Sequence, residues 1–125
     1  MLKTILLIGT GGFIGSVARY FVSRLNTHIE FLAIPLGTLI VNVLGSFLLG
    51  FLAGISAKSM VLSADMRMLL MVGLCGGFTT FSTFTGENLA LMQSGQFLSV
   101  LAYTALSIIF GFAAVYIGYI TSNLL

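Results

Sequence analysis

Charge is what this sequence has least of. Only 6% of its 125 residues are Asp, Glu, Lys or Arg, against about 25% in an ordinary globular domain. Hydrophobic residues make up 58%. A soluble chain of this length cannot bury that much apolar surface, so lipid is expected to be the solvent for most of it. The single cysteine, Cys75, excludes an intrachain disulfide and any cysteine metal cluster, and reads as a small buried apolar residue. There is one histidine, His28, alone in a loop and expected to be solvated. No carboxylate pair, histidine cluster or serine–histidine arrangement is present, so hydrolytic and metal-dependent catalysis have nothing to stand on. The formal net charge of +2 is too small and too scattered to suggest nucleic acid.

What the sequence has is long apolar runs. Four of them, about 2–25, 36–57, 66–92 and 97–120, are each long enough to cross a bilayer, which takes roughly 20 residues. Lys3 ahead of an apolar run mimics a signal peptide. No small-residue cleavage site followed by a soluble domain accompanies it, so the first run is expected to be a retained span. The runs are continuous rather than alternating, which disfavours a β-barrel. The expected fold is an all-α membrane protein: one bare four-helix unit, with loops at Asn26–Pro35 and Lys58–Asp65 and a tight turn at Gln93–Gln96.

Glycines sit at helix-packing spacing. Gly11 with Gly15, Gly50 with Gly54, and Gly73 with Gly77 are each four apart, the arrangement that lets helix backbones approach closely in lipid. The third span is unlike the others. At its middle lies Gly76-Gly77-Phe78-Thr79-Thr80-Phe81-Ser82-Thr83-Phe84. Adjacent glycines lower helix propensity, and four hydroxyls offer the backbone competing hydrogen bonds. An interrupted helix at membrane depth is tolerated where it is buried in protein or lines a water-filled path. A broken third helix at a binding or permeation site is therefore expected.

Polar groups in hydrocarbon are expensive and need a partner or a purpose. Thr38, Asn42 and Ser46 fall on one face of the second span, Tyr103 and Ser107 on one face of the fourth, and Ser82, Thr83 and Glu87 follow the interruption. Interhelical hydrogen bonding and a polar path are both open to these stripes. Asn42, with two donors and two acceptor sites, is the hardest to satisfy by packing alone. Arg19 and Glu87 can reach the interface by snorkelling, or pair with each other. Phe81 and Phe84 are three apart, and phenyl edges carry partial positive charge. Beside hydroxyl and amide donors they could line a path for a dehydrated anion. Lys3, Lys58 and Arg67 fall on one side of a four-span topology and Arg24, with or without Arg19, on the other. That weak bias is compatible with insertion both ways, and so with an antiparallel dimer, or with a modest one-way preference.

These residues carry a resemblance. Gly11-Gly12-x-x-Gly15-x-x-x-Arg19-Tyr20, Gly37-Thr38-Leu39-Ile40-Val41-Asn42, and the Gly76–Phe84 string followed by Glu87 are together similar to the Fluc (CrcB) family of fluoride channels, over the whole chain. The resemblance implies a dual-topology antiparallel homodimer with two fluoride pathways in the plasma (inner) membrane of a microbe. It implies that Asn42 donates to fluoride ion, that Phe81 and Phe84 present ring edges, and that Ser82, Thr83, Tyr103 and Ser107 line the route. It implies a structural sodium ion held at the dimer axis by the backbone carbonyls of Gly76 and Thr79 from both copies, with Thr38, Arg19 and Glu87 in structural or vestibule positions. Gly111 departs from the pattern, standing where the family often has another hydroxyl. Two rivals remain. A proton-coupled exporter of the small multidrug-resistance type also has four spans, but would want a central carboxylate and a tryptophan cage, where this chain has off-centre Glu87 and no tryptophan. A non-transporting membrane subunit would use the third span as an interaction site.

Overall fold

The computed structural model describes residues 1–27, 30–58 and 61–125; His28, expected in solvent, lies outside the described residues. The chain is mostly helical. Helix α1 (Leu2–Ser23) ends in a short 3-10 turn at Arg24–Thr27, and α2 (Leu36–Lys58) follows a two-stranded hairpin, β1 (Glu30–Phe31) against β2 (Ile34–Pro35). The third span is a composite: α3 (Ala64–Arg67), a π-helical stretch over Met68–Cys75, α4 (Gly76–Phe78) and α5 (Phe81–Gln93). Helix α6 (Phe97–Asn123) completes the chain. Four helical stretches, Leu2–Asn26, Leu36–Lys58, Ala64–Gln93 and Phe97–Asn123, are long and apolar enough to cross a membrane.

Backbone proximity builds two seams. Helix α1 lies along the first half of the third span. A Cβ on Gly11 would fall on the Leu69 carbonyl, and one on Gly15 on the Leu74 carbonyl. Across the seam, a Cβ on Gly77 would meet the backbone of Gly12, and one on Gly73 that of Ile8 and Gly11. Helix α2 lies along α6 in the same way, Gly50 facing the Val115 carbonyl and Gly118 the Phe47 carbonyl. The glycine spacings thus mark helix seams, as small residues do where lipid supplies no hydrophobic drive between helices.

The connections are built by side chains and turn geometry. The hairpin turns on Leu32 and Ala33, both left-handed at φ 52° and 57°, a conformation that non-glycine residues hold only where the surroundings insist. Ser99 of α6 supplies part of that insistence by donating to the Leu32 carbonyl, and Ile34 is buried against Leu91 and Tyr103. The 93–96 turn closes α5 with a Schellman motif. Gln96 N–H donates to the Leu91 carbonyl at 2.9 Å and Gly95 N–H to the Met92 carbonyl at 3.0 Å, with Gly95 at φ 76°.

Candidate functional site

The chain leaves helical geometry at Thr79 and Thr80, not at the Gly76-Gly77 pair that has the weakest helix propensity. Gly76 and Gly77 are helical in α4, whereas Thr79 (φ −78°, ψ 156°) and Thr80 (φ −152°, ψ 120°) are extended. The local cost of glycine is about 1 kcal/mol per residue, and close packing of Gly77 on Gly12 outweighs it. The hydroxyls decide the position. Thr80 Oγ1 accepts the Thr83 N–H at 3.2 Å and so N-caps α5. Thr79 Oγ1 donates back to the Cys75 carbonyl at 2.8 Å.

Asn42 of α2 secures this bend. Its Nδ2 donates to the Thr80 carbonyl at 3.1 Å while its Oδ1 accepts the Thr80 N–H at 2.8 Å. The side-chain amide therefore pairs with Thr80 as a neighbouring backbone would, using one of its two N–H donors. One turn along, the bare Cα of Gly45 gives room to the Thr79 side chain, which a Cβ there would strike. These contacts redirect donors that a continuous helix would spend on carbonyls. The Thr80 N–H would belong to the Gly76 carbonyl and the Thr83 N–H to that of Thr79; Asn42 and Thr80 Oγ1 take them instead.

A cleft of about 530 Å³ opens at the bend. Asn42, Ser46, Gly76, Thr79, Thr80, Phe81, Phe84, Ser107 and Gly111 are among its lining residues. Seven residues nominated by sequence thus meet three ways. Asn42, Phe81, Phe84 and Ser107 face one cleft. Tyr103, fully buried, stands directly behind Phe84, ring centroids 4.9 Å apart and edge-on at 67°. Ser82 and Thr83 are exposed on the outer surface of the single chain. Phe81, 77% exposed, leans on Phe84 with centroids 5.9 Å apart. The Ser107 hydroxyl is buried with no hydrogen-bond partner among the described residues, an arrangement that costs about 1–3 kcal/mol for a group cut off from water.

Beyond the phenylalanines, Glu87 of α5 is held by hydroxyls from α2 and α6. Thr38 Oγ1 donates to Glu87 Oε1 at 2.7 Å and Tyr103 Oη to Glu87 Oε2 at 2.8 Å. Both carboxylate oxygens are thus taken by hydroxyls, and the pairing with Arg19 that the sequence allowed is not the one formed. Arg19 sits half-buried on α1. Sequence reasoning missed a further participant, Asn26, whose Nδ2 donates to Thr38 Oγ1 at 3.1 Å and whose Oδ1 accepts the Thr38 N–H at 3.1 Å. A lone loop asparagine carries no signal of that partnership.

With this geometry in view, comparison with known proteins is decisive. A family model described as CrcB-like protein, Camphor Resistance (CrcB), matches residues 6–119. The chain belongs to the CrcB family. Among curated relatives, a protein of Azobacteroides pseudotrichonymphae genomovar. CFP2 is 48% identical over 98% of this chain and 98% of its own length. One of Rhizobium meliloti (strain 1021) is 46% identical over 91% of each. One of Chlorobium chlorochromatii (strain CaD3) is 45% identical over 95% of this chain and 92% of its own. Each of the three is named a fluoride-specific ion channel. Membership in the CrcB family thus joins the four-span architecture, the bend at Thr79–Thr80 and the aromatic-lined cleft to relatives named for one function.

Proposed function

We propose that this protein is a passive, fluoride-selective ion channel of a microbial plasma membrane, lowering cytoplasmic fluoride. Fluoride enters a cell as the neutral weak acid, ionises and is trapped, so a leak for the anion alone relieves the load. The observation that carries this reading is the cleft itself. Phenyl rings and single polar groups line it, from a chain whose near full-length relatives are named for that conduction. Asn42 offers its second N–H, Phe81 and Phe84 their ring edges, and Ser107 its unpaired hydroxyl, while Ser82, Thr83 and Tyr103 extend the route. A narrow path of fixed donors suits a small anion that has shed its water, and larger chloride cannot replace its hydration there.

The working unit is an antiparallel homodimer with two pathways. Helix α5 carries Ser82, Thr83 and Thr85 on the exposed side of the chain, and hydroxyls facing hydrocarbon are costly, so a second copy covers that face. Two-fold symmetry brings both bends to one axis. The carbonyls of Gly76 and Thr79, whose helical donors are redirected, fit a sodium ion, a hard cation served by unwound backbone oxygens. Held there, the cation would supply a fixed positive charge between two anion routes. Growth tests the function directly. Expression in a bacterium lacking its own fluoride exporters restores growth in fluoride medium, and the reading fails if well-expressed protein leaves the cells as sensitive as the empty vector does.

A further inference from the structure

We infer that Asn26, in the connector between α1 and α2, is a positioning residue that aims the hydroxyl of Thr38 at Glu87; this rests on the channel reading above. A threonine hydroxyl has one proton to give and two lone pairs to receive. At Thr38 the direction is settled by its neighbours. Asn26 Nδ2 can only donate, so it fills a lone pair of Thr38 Oγ1, and the one hydroxyl proton goes to Glu87 Oε1 at 2.7 Å. Tyr103 Oη completes the set at Oε2, so the carboxylate accepts at both oxygens.

The placement gives this chain a consequence. Glu87 follows Phe84 by about one turn of α5, Tyr103 touches both residues, and Asn26 and Glu87 line a second, polar cleft of about 460 Å³ at the hairpin. A carboxylate beside a fluoride route repels the anion unless donors hold its oxygens and spread its charge. Two hydroxyls do so here, and the aim of one depends on an amide in the turn that ends α1. Without that amide, a threonine near a helix start turns its proton to a nearby backbone carbonyl. Glu87 Oε1 is then left bare on the route.

Asn26→Asp tests this effect beside Asn26→Leu, which removes the donor without adding a charge; a loss confined to the aspartate variant is the repulsion of its own carboxylate and overturns the inference. An aspartate keeps the oxygen that accepts the Thr38 N–H and therefore keeps the cap on α2, but cannot donate to Thr38 Oγ1. Fluoride efflux from liposomes is measured for the parent, Asn26→Leu, Asn26→Asp, Glu87→Gln and the double variant of the last two, with dimer recovery and thermal stability recorded for each. The expected result is a fall in flux of about tenfold for Asn26→Asp, the scale of a lost hydrogen bond to a charged group. In the Glu87→Gln background, which has no carboxylate charge to hold, the same substitution changes flux less than about twofold. Parent-like flux in Asn26→Asp overturns the inference, as does an equal loss in both backgrounds, which marks a purely structural role. A parent that releases no fluoride at all contradicts the channel reading instead.

Discussion

The two halves of the third span solve the problem of a polar, glycine-rich helix in lipid by opposite means. From Met68 to Phe78 the chain is held by backbone proximity, its glycines and carbonyls set against those of α1. From Phe81 to Gln93 it is held by side chains: Glu87 to Thr38 and Tyr103, and Phe84 against the Tyr103 ring. Thr79 and Thr80 are the joint between them, anchored to α2 through Asn42. The first half is therefore intolerant of volume and nearly indifferent to polarity, while the second tolerates volume and is governed by which atoms can donate. Structure and conduction are expected to fail separately when the halves are perturbed separately.

The largest effect is expected in the first half. Gly11→Leu drives a side chain into the Leu69 carbonyl and costs at least about 3 kcal/mol, the upper range for overpacking, so size-exclusion chromatography should show aggregate in place of a folded species. Gly9→Leu, two residues away with nothing within 4 Å of its Cβ, should behave like the parent. If the two variants behave alike, the seam is not where the first half gets its stability.

Next comes the joint. Asn42→Asp keeps the acceptor for the Thr80 N–H but removes the donor to the Thr80 carbonyl. The second N–H, proposed for fluoride, is lost with it, and one hydrogen bond to a charged group is worth about 1.5–3 kcal/mol, so fluoride flux should drop by about 10- to 100-fold. Ser107→Ala sharpens the contrast further. It removes a buried hydroxyl that has no partner among the described residues, so thermal stability should hold or rise by up to about 1 kcal/mol, while flux falls. A loss of stability with unchanged flux would make Ser107 a structural residue. The smallest effect belongs to Gly111→Ser. A Cβ there meets nothing within 4 Å although the residue lines the cleft, so the fold should be unchanged or slightly firmer, by about 0.5 kcal/mol of helix propensity. Flux should stay close to that of the parent.

The same division explains what could be read in advance. Span positions and glycine seams are legible because hydrophobic run length and four-residue spacing are local patterns with one physical meaning in lipid. The gathering of Asn42, Phe81, Phe84 and Ser107 is implied by the family resemblance, whereas helix faces alone leave interhelical bonding equally open. The position of the bend is not local. Propensity points to Gly76-Gly77, but the seam with α1 needs those residues helical, and the capping hydroxyl of Thr80 moves the bend downstream. The pairing of Asn42 with Thr80 joins residues far apart in sequence, and the choice of Thr38 and Tyr103 over Arg19 as partners of Glu87 depends on helix rotation that no spacing encodes. The π-helical stretch Met68–Cys75 has no side-chain signature at all. The hairpin turn at Leu32–Ala33 lacks the Asn or Gly that usually announces left-handed backbone, because Ser99 and the burial of Ile34 impose it from outside.

The central claim is selective conduction through the cleft at the Thr79–Thr80 joint. Its most direct test is ion release from liposomes carrying the purified protein, followed with a fluoride electrode beside a chloride electrode. The account predicts rapid fluoride release, no chloride release, and loss of the fluoride signal in Asn42→Asp with the dimer intact. Equal release of both ions, or fluoride release that survives in Asn42→Asp, would contradict it.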